Sequence, residues 1–246
     1  MGIKWIKLDS TTSTNSYISA LLKQGKVQED MVVIADYQED GRGQGEHSWH
    51  SEKRKNLLMS LLLFPAFLSA SRQFLLSKLV SLAICDVLVL EDVDPFIKWP
   101  NDILTQRGKI SGILIEHGIT GQNISHTIIG IGLNLNQTTF PVFPVSATSL
   151  VLEKGTTTEP NDMAVKLTAK ILARYEQLKI GKGEFIEQEY LQRLYMIGSP
   201  AFFTSEGKEF RGMIRGVNEY GELLVEAEGK IKSFAHQEIS LKEPGI

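Results

Sequence analysis

Cysteine is almost missing from this chain of 246 residues, with Cys85 the only one. It lies in an apolar stretch and reads as a small core residue; no disulfide framework can form within one chain. Excess charge is missing as well. Lys and Arg number 26 against 29 Asp and Glu, a net charge of −3, with a pI near 6.0. That balance argues against nucleic-acid binding through general electrostatics. No apolar signal core follows Met1, and Gly2 lacks the serine or threonine context of myristoylation. Apolar runs reach about eight residues, far short of the roughly 20 of a membrane-spanning helix. A soluble, cytoplasmic protein without membrane association is expected. Internal repeats, low-complexity segments and a flexible linker are absent from the sequence.

Several chemistries are excluded the same way. No Gly-Lys-Ser or Gly-Lys-Thr follows Gly41-Arg42-Gly43, so there is no phosphate loop of the common NTPase kind. These glycines do not open an amphipathic helix, as a dinucleotide fold requires. The histidines (His47, His50, His117, His126, His236) form no metal box; His47 and His50 stand three apart without partner cysteines. No serine sits in a nucleophile elbow.

What is present is an ordinary globular composition, 42% hydrophobic and 22% charged, which predicts a packed core. Ile3 to Leu8, Met31 to Tyr37, Leu57 to Phe64, Gly108 to His117 and Ser125 to Asn136 read as strands. Helical spacing marks the segments after Asn15, from Leu68 to Glu91, from Asn161 to Lys179 and from Glu184 to Met196. Thr138 to Ser149, with Pro141 and Pro144, reads as a loop. From Ala201 onward, short alternating segments and turn signals predict a small antiparallel β module, a five-stranded barrel. Residues 1–197 read as one α+β domain with a mixed, mainly antiparallel sheet, and 198–246 as a second unit.

Four stretches carry more than architecture. Asp40 to Ser51 holds Gly41, Gly43 and Gly45 around Arg42 and ends near Trp49, a loop suited to folding over an anionic ligand that carries a flat ring. Asp9 to Ser16 is rich in hydroxyls and amides. Capping by Ser13 or Asn15 needs only one of them, and the surplus points to a polar ligand-binding edge. Lys98-Trp-Pro-Asn-Asp102 is a strand entering a turn, and turn chemistry does not account for Lys98 and Trp99. In the strand from Ser125, alternation puts Gly130, Gly132 and Asn134 on one face. Either a ligand rests on the bare glycines or a helix packs against them.

Together, Gly41-Arg-Gly43 with Trp49, Lys98-Trp-Pro-Asn-Asp102, Gly108-Lys-Ile-Ser-Gly-Ile-Leu-Ile-Glu116 and Gly130-Ile-Gly-Leu-Asn134 occur in an order and spacing that resemble the biotin protein ligases. Ser13-Thr-Asn15 and the C-terminal β module extend the resemblance over nearly the whole chain. It implies a central mixed sheet with helices plus a small SH3-like barrel. It also implies two steps: biotin attacks the α-phosphate of Mg-ATP to give biotinyl-5′-AMP, then a lysine of a biotin carboxyl carrier protein displaces AMP. Cations must offset the meeting of two anions. The resemblance implies Lys109, Arg42 and Asp102 as catalytic residues, with Asp102 near the incoming lysine or the Mg2+. Ser13, Thr14, Asn15, Gln38, Arg42, Gly43, Gln44, Lys109, Gly112 and Gly132 would bind biotin. Trp49, Lys98, Asn101 and Asn134 would lie on the nucleotide side.

Two departures stand out. Loops of this family usually read Gly-Arg-Gly-Arg-x-Gly-Arg-x-Trp, whereas here Gln44, Gly45, Glu46 and His47 make the loop less basic. Regular alternation from Lys109 would also put Gly112 on the opposite face, so the ligand must wrap the strand end or the strand must bulge. Larger members carry an N-terminal winged helix; the first strand here begins near Met1, and no DNA binding is expected. A monomer or weak homodimer is expected. The rivals are a lipoate or octanoate ligase, against which the polar Ser13–Asn15 edge speaks, and a non-catalytic sensor.

Overall fold

The computed structural model describes residues 3–45, 47–142 and 145–242; Met1, Gly2, Glu46 and Pro144, named above, lie outside the described residues. The chain runs β1 (Lys4–Leu8), α1 (Thr14–Lys23), β2 (Met31–Ala35), β3 (Leu57–Leu63), α2 (Phe74–Leu90), β4 (Phe96–Lys98), β5 (Asp102–Thr105), β6 (Gly108–Thr120) and β7 (Asn123–Leu133). It continues through α3 (Leu150–Lys154), α4 (Pro160–Lys179) and α5 (Gly183–Arg193). The seven strands form one sheet in the order β1-β2-β3-β7-β6-β5-β4. Only β1 and β2 pair in parallel, so the sheet is mixed and mainly antiparallel, as expected.

Period-two alternation distributes the side chains over two faces. Met31, Val33, Leu62 and Ile128 meet Ile18 of α1 on one face. Val32, Leu57, Met59, Leu61, Ile129 and Ile131 face α2, α4 and α5 on the other, in the main core. Every residue of β3 is buried, as its continuous apolar sequence predicts for a strand covered on both sides. The stretch Ala70–Leu90 is long and apolar enough to cross a membrane, which corrects the expectation from run lengths. Ser77, Lys78 and Ser81 interrupt the runs without offsetting their apolar character. With 67% of its most apolar window buried inside the fold, the segment behaves as a core helix.

Several element boundaries differ from expectation, among them the start of α2 and the end of β7. The expected helix from Leu68 starts only at Phe74, because Leu68 and Ala70 hydrogen-bond instead to Ile124 and Gln122 at the start of β7. The last long strand ends at Leu133, not Asn136, and this moves Asn134.

Beyond α5, β8 (Pro200–Ser205), β9 (Lys208–Val217), β10 (Leu223–Ala227), β11 (Lys230–Phe234) and β12 (Ser240–Lys242) form an antiparallel five-stranded sheet in the order β11-β10-β9-β8-β12. Phe203, Ile214, Leu223 and Val225 on this sheet join Ile97 and Leu194 in the main core. The second sheet is therefore packed against the β4–β5 end of the first.

Candidate functional site

Cross-strand register, more than nearness in sequence, assembles the site. Lys98 pairs with Asp102, Asp102 with Gly112, Gly112 with Gly132, and Gly132 with Leu58. Directly paired residues share a face, so three separate motifs fall into one row across five strands. The next row runs Leu114, Gly130, Ser60. A cavity of about 460 Å³ lies over these rows.

Its polar end is built where α1 begins. Ser13 takes the N-cap position but makes no side-chain cap bond, so capping does not account for the hydroxyl run. Thr14 and Asn15 are buried and turn to the sheet. The backbone N–H and hydroxyl of Thr14 donate to Gln38 Oε1 at 2.8 and 3.0 Å. Ser60 Oγ lies 2.7 Å from Thr14 Oγ1 and 2.6 Å from Asn15 Oδ1, and its one proton serves one of them at a time. Asn15 Nδ2 donates to Glu116 Oε2 at 2.7 Å, and Arg42 donates to Glu116 Oε1 at 2.7 Å. A single carboxylate therefore ties the polar edge to the arginine of the glycine loop.

At the other end, Lys109 Nζ lies 2.6 Å from Asp102 Oδ1. The strand does bulge. Leu104 pairs with Lys109 and Ile103 with Ser111, so Ile110 is the extra residue. A bulge shifts the alternation by one position, which brings Lys109 to the face of Gly112. A Cβ on Gly112 would lie 3.4 Å from Lys109 Cε.

The loop from Asp40 is a tight hairpin rather than a free excursion. Gly43 N donates to His47 O and Trp49 N to Gly41 O, both at 2.7 Å; Gly45 has φ +64°. The hairpin lays Trp49 on the glycine floor. A Cβ would come within 2.9 Å of the Trp49 ring at Gly112 and within 2.3 Å at Gly132. Lys109 Nζ is 5.6 Å from the centroid of that ring. At Gly130 the alternative of helix packing holds: a Cβ would lie 2.5 Å from Asn15 Oδ1 of α1.

Of the expected site residues, all but Asn134 line the cavity: Ser13, Thr14, Asn15, Gln38, Arg42, Gly43 and Gln44 toward the polar end and lid, and Trp49, Lys98, Asn101, Asp102, Lys109, Gly112 and Gly132 toward the other. Asn134 follows the last residue of β7, where alternation no longer sets its direction. Its Nδ2 donates to Thr148 O at 2.9 Å and its Oδ1 is buried without a partner. Asn101 joins the turn to β6 through Ile113 O at 2.8 Å.

Sequence reasoning missed three contributors. Ser60 is the one polar residue of β3, a signal that was legible. Glu116 falls two and four positions beyond Leu114 and Gly112, on the same face, and alternation would have found it. The third is the C-terminal sheet. Ile214, Leu223, His236, Gln237 and Ser240 line the cavity, and Trp99 Nε1 donates to Gly221 O at 2.8 Å. His236 packs edge-on to Trp99 at 6.1 Å. Burial holds the His236 pKa below its ordinary value, His47 adds to the depression and Asp102 opposes it.

Among the described residues no cluster of three His, Cys, Asp or Glu could hold a metal ion by itself. The arrangement is instead a cavity with a polar end, a backbone floor, a lysine–aspartate pair and an aromatic cover carried on a glycine hairpin. It suits a slender acid joined to a larger anionic partner.

Comparison with known proteins gives concordant results. The profile of the Biotin/lipoate A/B protein ligase family matches residues 7–134. The Escherichia coli (strain K12) bifunctional ligase/repressor BirA is 31% identical over 241 residues, covering 94% of this chain and 71% of that protein. The biotin–[acetyl-CoA-carboxylase] ligase of Mycobacterium tuberculosis is 28% identical over 237 residues, covering 93% of this chain and 86% of its own length. Among solved structures, the biotin protein ligase from Aquifex aeolicus in complex with biotin and ATP superposes with a TM-score of 0.80 at 25% identity, over 97% of this chain and 98% of that one.

Proposed function

The chain belongs to the biotin/lipoate A/B protein ligase family, and from that premise we infer that it is an ATP-dependent biotin protein ligase. The observation that carries the reading is the Lys109–Asp102 pair at 2.6 Å on the same sheet face as the bare glycines, opposite a polar end rich in amides and hydroxyls.

In the first step the biotin carboxylate attacks the α-phosphate of ATP and pyrophosphate leaves. Lys109 offsets the charge of the two anions and holds the attacking oxygen near phosphorus. Arg42, tethered through Glu116 to the Asn15 edge, adds a second cation from the lid. Thr14, Asn15, Gln38 and Ser13 offer the donors and acceptors that a ureido ring needs. The glycines let the bicycle approach backbone directly. Trp49 covers Gly112 and Gly132 in this structure, so the acid reaches them as the indole withdraws. Asn134 does not line the cavity in this structure; we propose that its buried, unpaired Oδ1 turns to accept from the exocyclic amine of adenine when the nucleotide binds. Lys98 and Asn101 stand beside the phosphates. Mg2+ would arrive with the nucleotide, neutralising phosphate charge. Bound there, it would be held by phosphate oxygens, water and one or two carboxylates, and Asp102 is the carboxylate in the described lining that could serve.

In the second step a lysine amine takes the acyl group and AMP departs. We propose a carrier domain of acetyl-CoA carboxylase as acceptor, in line with the name of the Mycobacterium tuberculosis relative. We further propose that residues 1–197 are the catalytic domain and 198–246 an SH3-like barrel, a reading supported by the five-stranded antiparallel order. A cytoplasmic monomer or weak homodimer with no membrane partner completes the proposal, and the net charge of −3 argues against a DNA partner.

Pyrophosphate exchange with biotin, lipoate and octanoate in turn tests the reading. Biotin-dependent exchange is expected. Exchange with lipoate and not biotin would replace this ligase by its lipoyl counterpart, and no exchange with any acid would favour a sensor.

A further inference from the structure

A second cavity, of about 360 Å³, lies between the start of α2, the outer half of β6 and the Pro100–Asn101 turn. It shares Gln44, Pro100, Asn101, Ile113 and Leu114 with the first cavity, so the two abut beside Asp102 and Gly112. Three polar atoms of its lining are buried and make no hydrogen bond: Gln44 Oε1, Ser81 Oγ and His117 Nδ1. Ser81 is only 1% exposed. Buried polar atoms in folded proteins nearly always have partners, and three orphans around one cavity point to something that fills it.

The lining selects the occupant. Among the described residues no Asp, Glu, Lys or Arg faces this cavity, so it favours an uncharged group. Gln44 Oε1 only accepts hydrogen bonds, and a hydroxyl accepts as readily as it donates. Burial, with a smaller contribution from His126, holds the His117 pKa below its ordinary value, so the ring stays neutral and its free nitrogen can accept. Beside the polar Gln73, Ser77, Asn101 and Tyr220, the side chains of Phe74, Pro100, Ile113, Leu114 and Ile115 line the cavity and suit a methylene chain. A slim alkyl amine meets all of these terms.

We propose that this cavity receives the side chain of the acceptor lysine, which reaches the adenylate past the Pro100–Asn101 turn. The proposal rests on the ligase reading. A cavity without carboxylates penalises an ammonium, so the amine arrives neutral, as a nucleophile must. Its nitrogen bonds to the acyl carbon while the bond from that carbon to the phosphate oxygen breaks. AMP leaves with that electron pair and takes the proton that nitrogen sheds.

Two substitutions on different elements fill the cavity: Ser77→Leu on α2 and His117→Phe on β6. In each folded variant, biotin-dependent pyrophosphate exchange and discharge of the adenylate by hydroxylamine are expected within about twofold of the parent. The single-turnover rate of transfer to a saturating carrier domain of acetyl-CoA carboxylase is expected to fall at least tenfold. Unchanged transfer in either folded variant overturns the proposal. So does a loss confined to the KM for the carrier, which is a docking defect, or an equal loss of exchange and transfer. Absence of biotin-dependent exchange in the parent protein would instead overturn the ligase reading beneath it.

Discussion

The two ends of the main cavity are built in opposite ways. At the Thr14–Asn15–Ser60 end, Thr14, Asn15, Ser60 and Glu116 sit on a helix or a strand, and with Gln38 just beyond β2 the side chains hold one another at 2.6–3.0 Å. At the Trp49 end, the cover is a glycine hairpin whose own ring lies on the floor, and Trp49 Nε1 and Gln44 Oε1 are buried without partners. The first end is organised before any ligand arrives. The second has contacts left to make. Satisfied networks rigidify a site, whereas a lid must exchange one set of contacts for another. One end can therefore select the acid while the other commits it to reaction.

The largest expected effect lies between the two ends. Lys109→Ala removes the cation that both anions need, and adenylation should fall by about 10³-fold or more, measured by pyrophosphate exchange, with circular dichroism unchanged. Retained exchange would take Lys109 out of the mechanism. Next, Gly130→Ala attacks the organised end alone. Its Cβ would lie 2.5 Å from Asn15 Oδ1, and a strain of about 1–3 kcal/mol should raise the KM for biotin roughly tenfold with the KM for ATP little changed. Equal change in both constants would mean that the ends are not separable. On the lid, Gln44→Arg restores one cation, and release of the adenylate should slow by a few fold, about what one partly exposed charge contributes, in a filter-binding chase. A faster release would show that the neutral side chain is itself a contact.

The smallest effect is at the seam of lid and C-terminal sheet. The His236 pKa is depressed below 6.5, so between its folded and unfolded values the unfolded chain binds more protons. Its contribution is complete above 6.5 and is lost as pH falls through the folded value. Stability measured by urea unfolding should therefore decline as pH drops below 6.5, and His236→Asn should flatten that slope. A slope of the opposite sign would mean that His236 gains a carboxylate partner on folding.

Much of this site was readable from residue order, because motifs such as Gly130-Ile-Gly and Lys98-Trp-Pro-Asn-Asp need particular backbone geometries. Even the bulge at Ile110 was legible as a contradiction, since Lys109 and Gly112 cannot share a face of a regular strand. The end of β7 was not. Nothing in Leu133-Asn-Leu-Asn marks where pairing stops, and so Asn134 was expected on the glycine face when it turns toward Thr148. His236 and Gln237 were invisible for a different reason. They reach the cavity through the packing of two sheets, and no local pattern encodes that contact.

Trp49 has one more consequence, an optical one. Of the three tryptophans, Trp5 is 40% exposed on an edge strand and Trp99 is hydrogen-bonded to Gly221 O. Trp49 alone lies on bare backbone with a lysine ammonium 5.6 Å from its ring. Any molecule that reaches Gly112 or Gly132 displaces that indole from both neighbours. Substrate arrival is thereby coupled to ultraviolet emission without a label, in a signal that Trp49→Phe would silence.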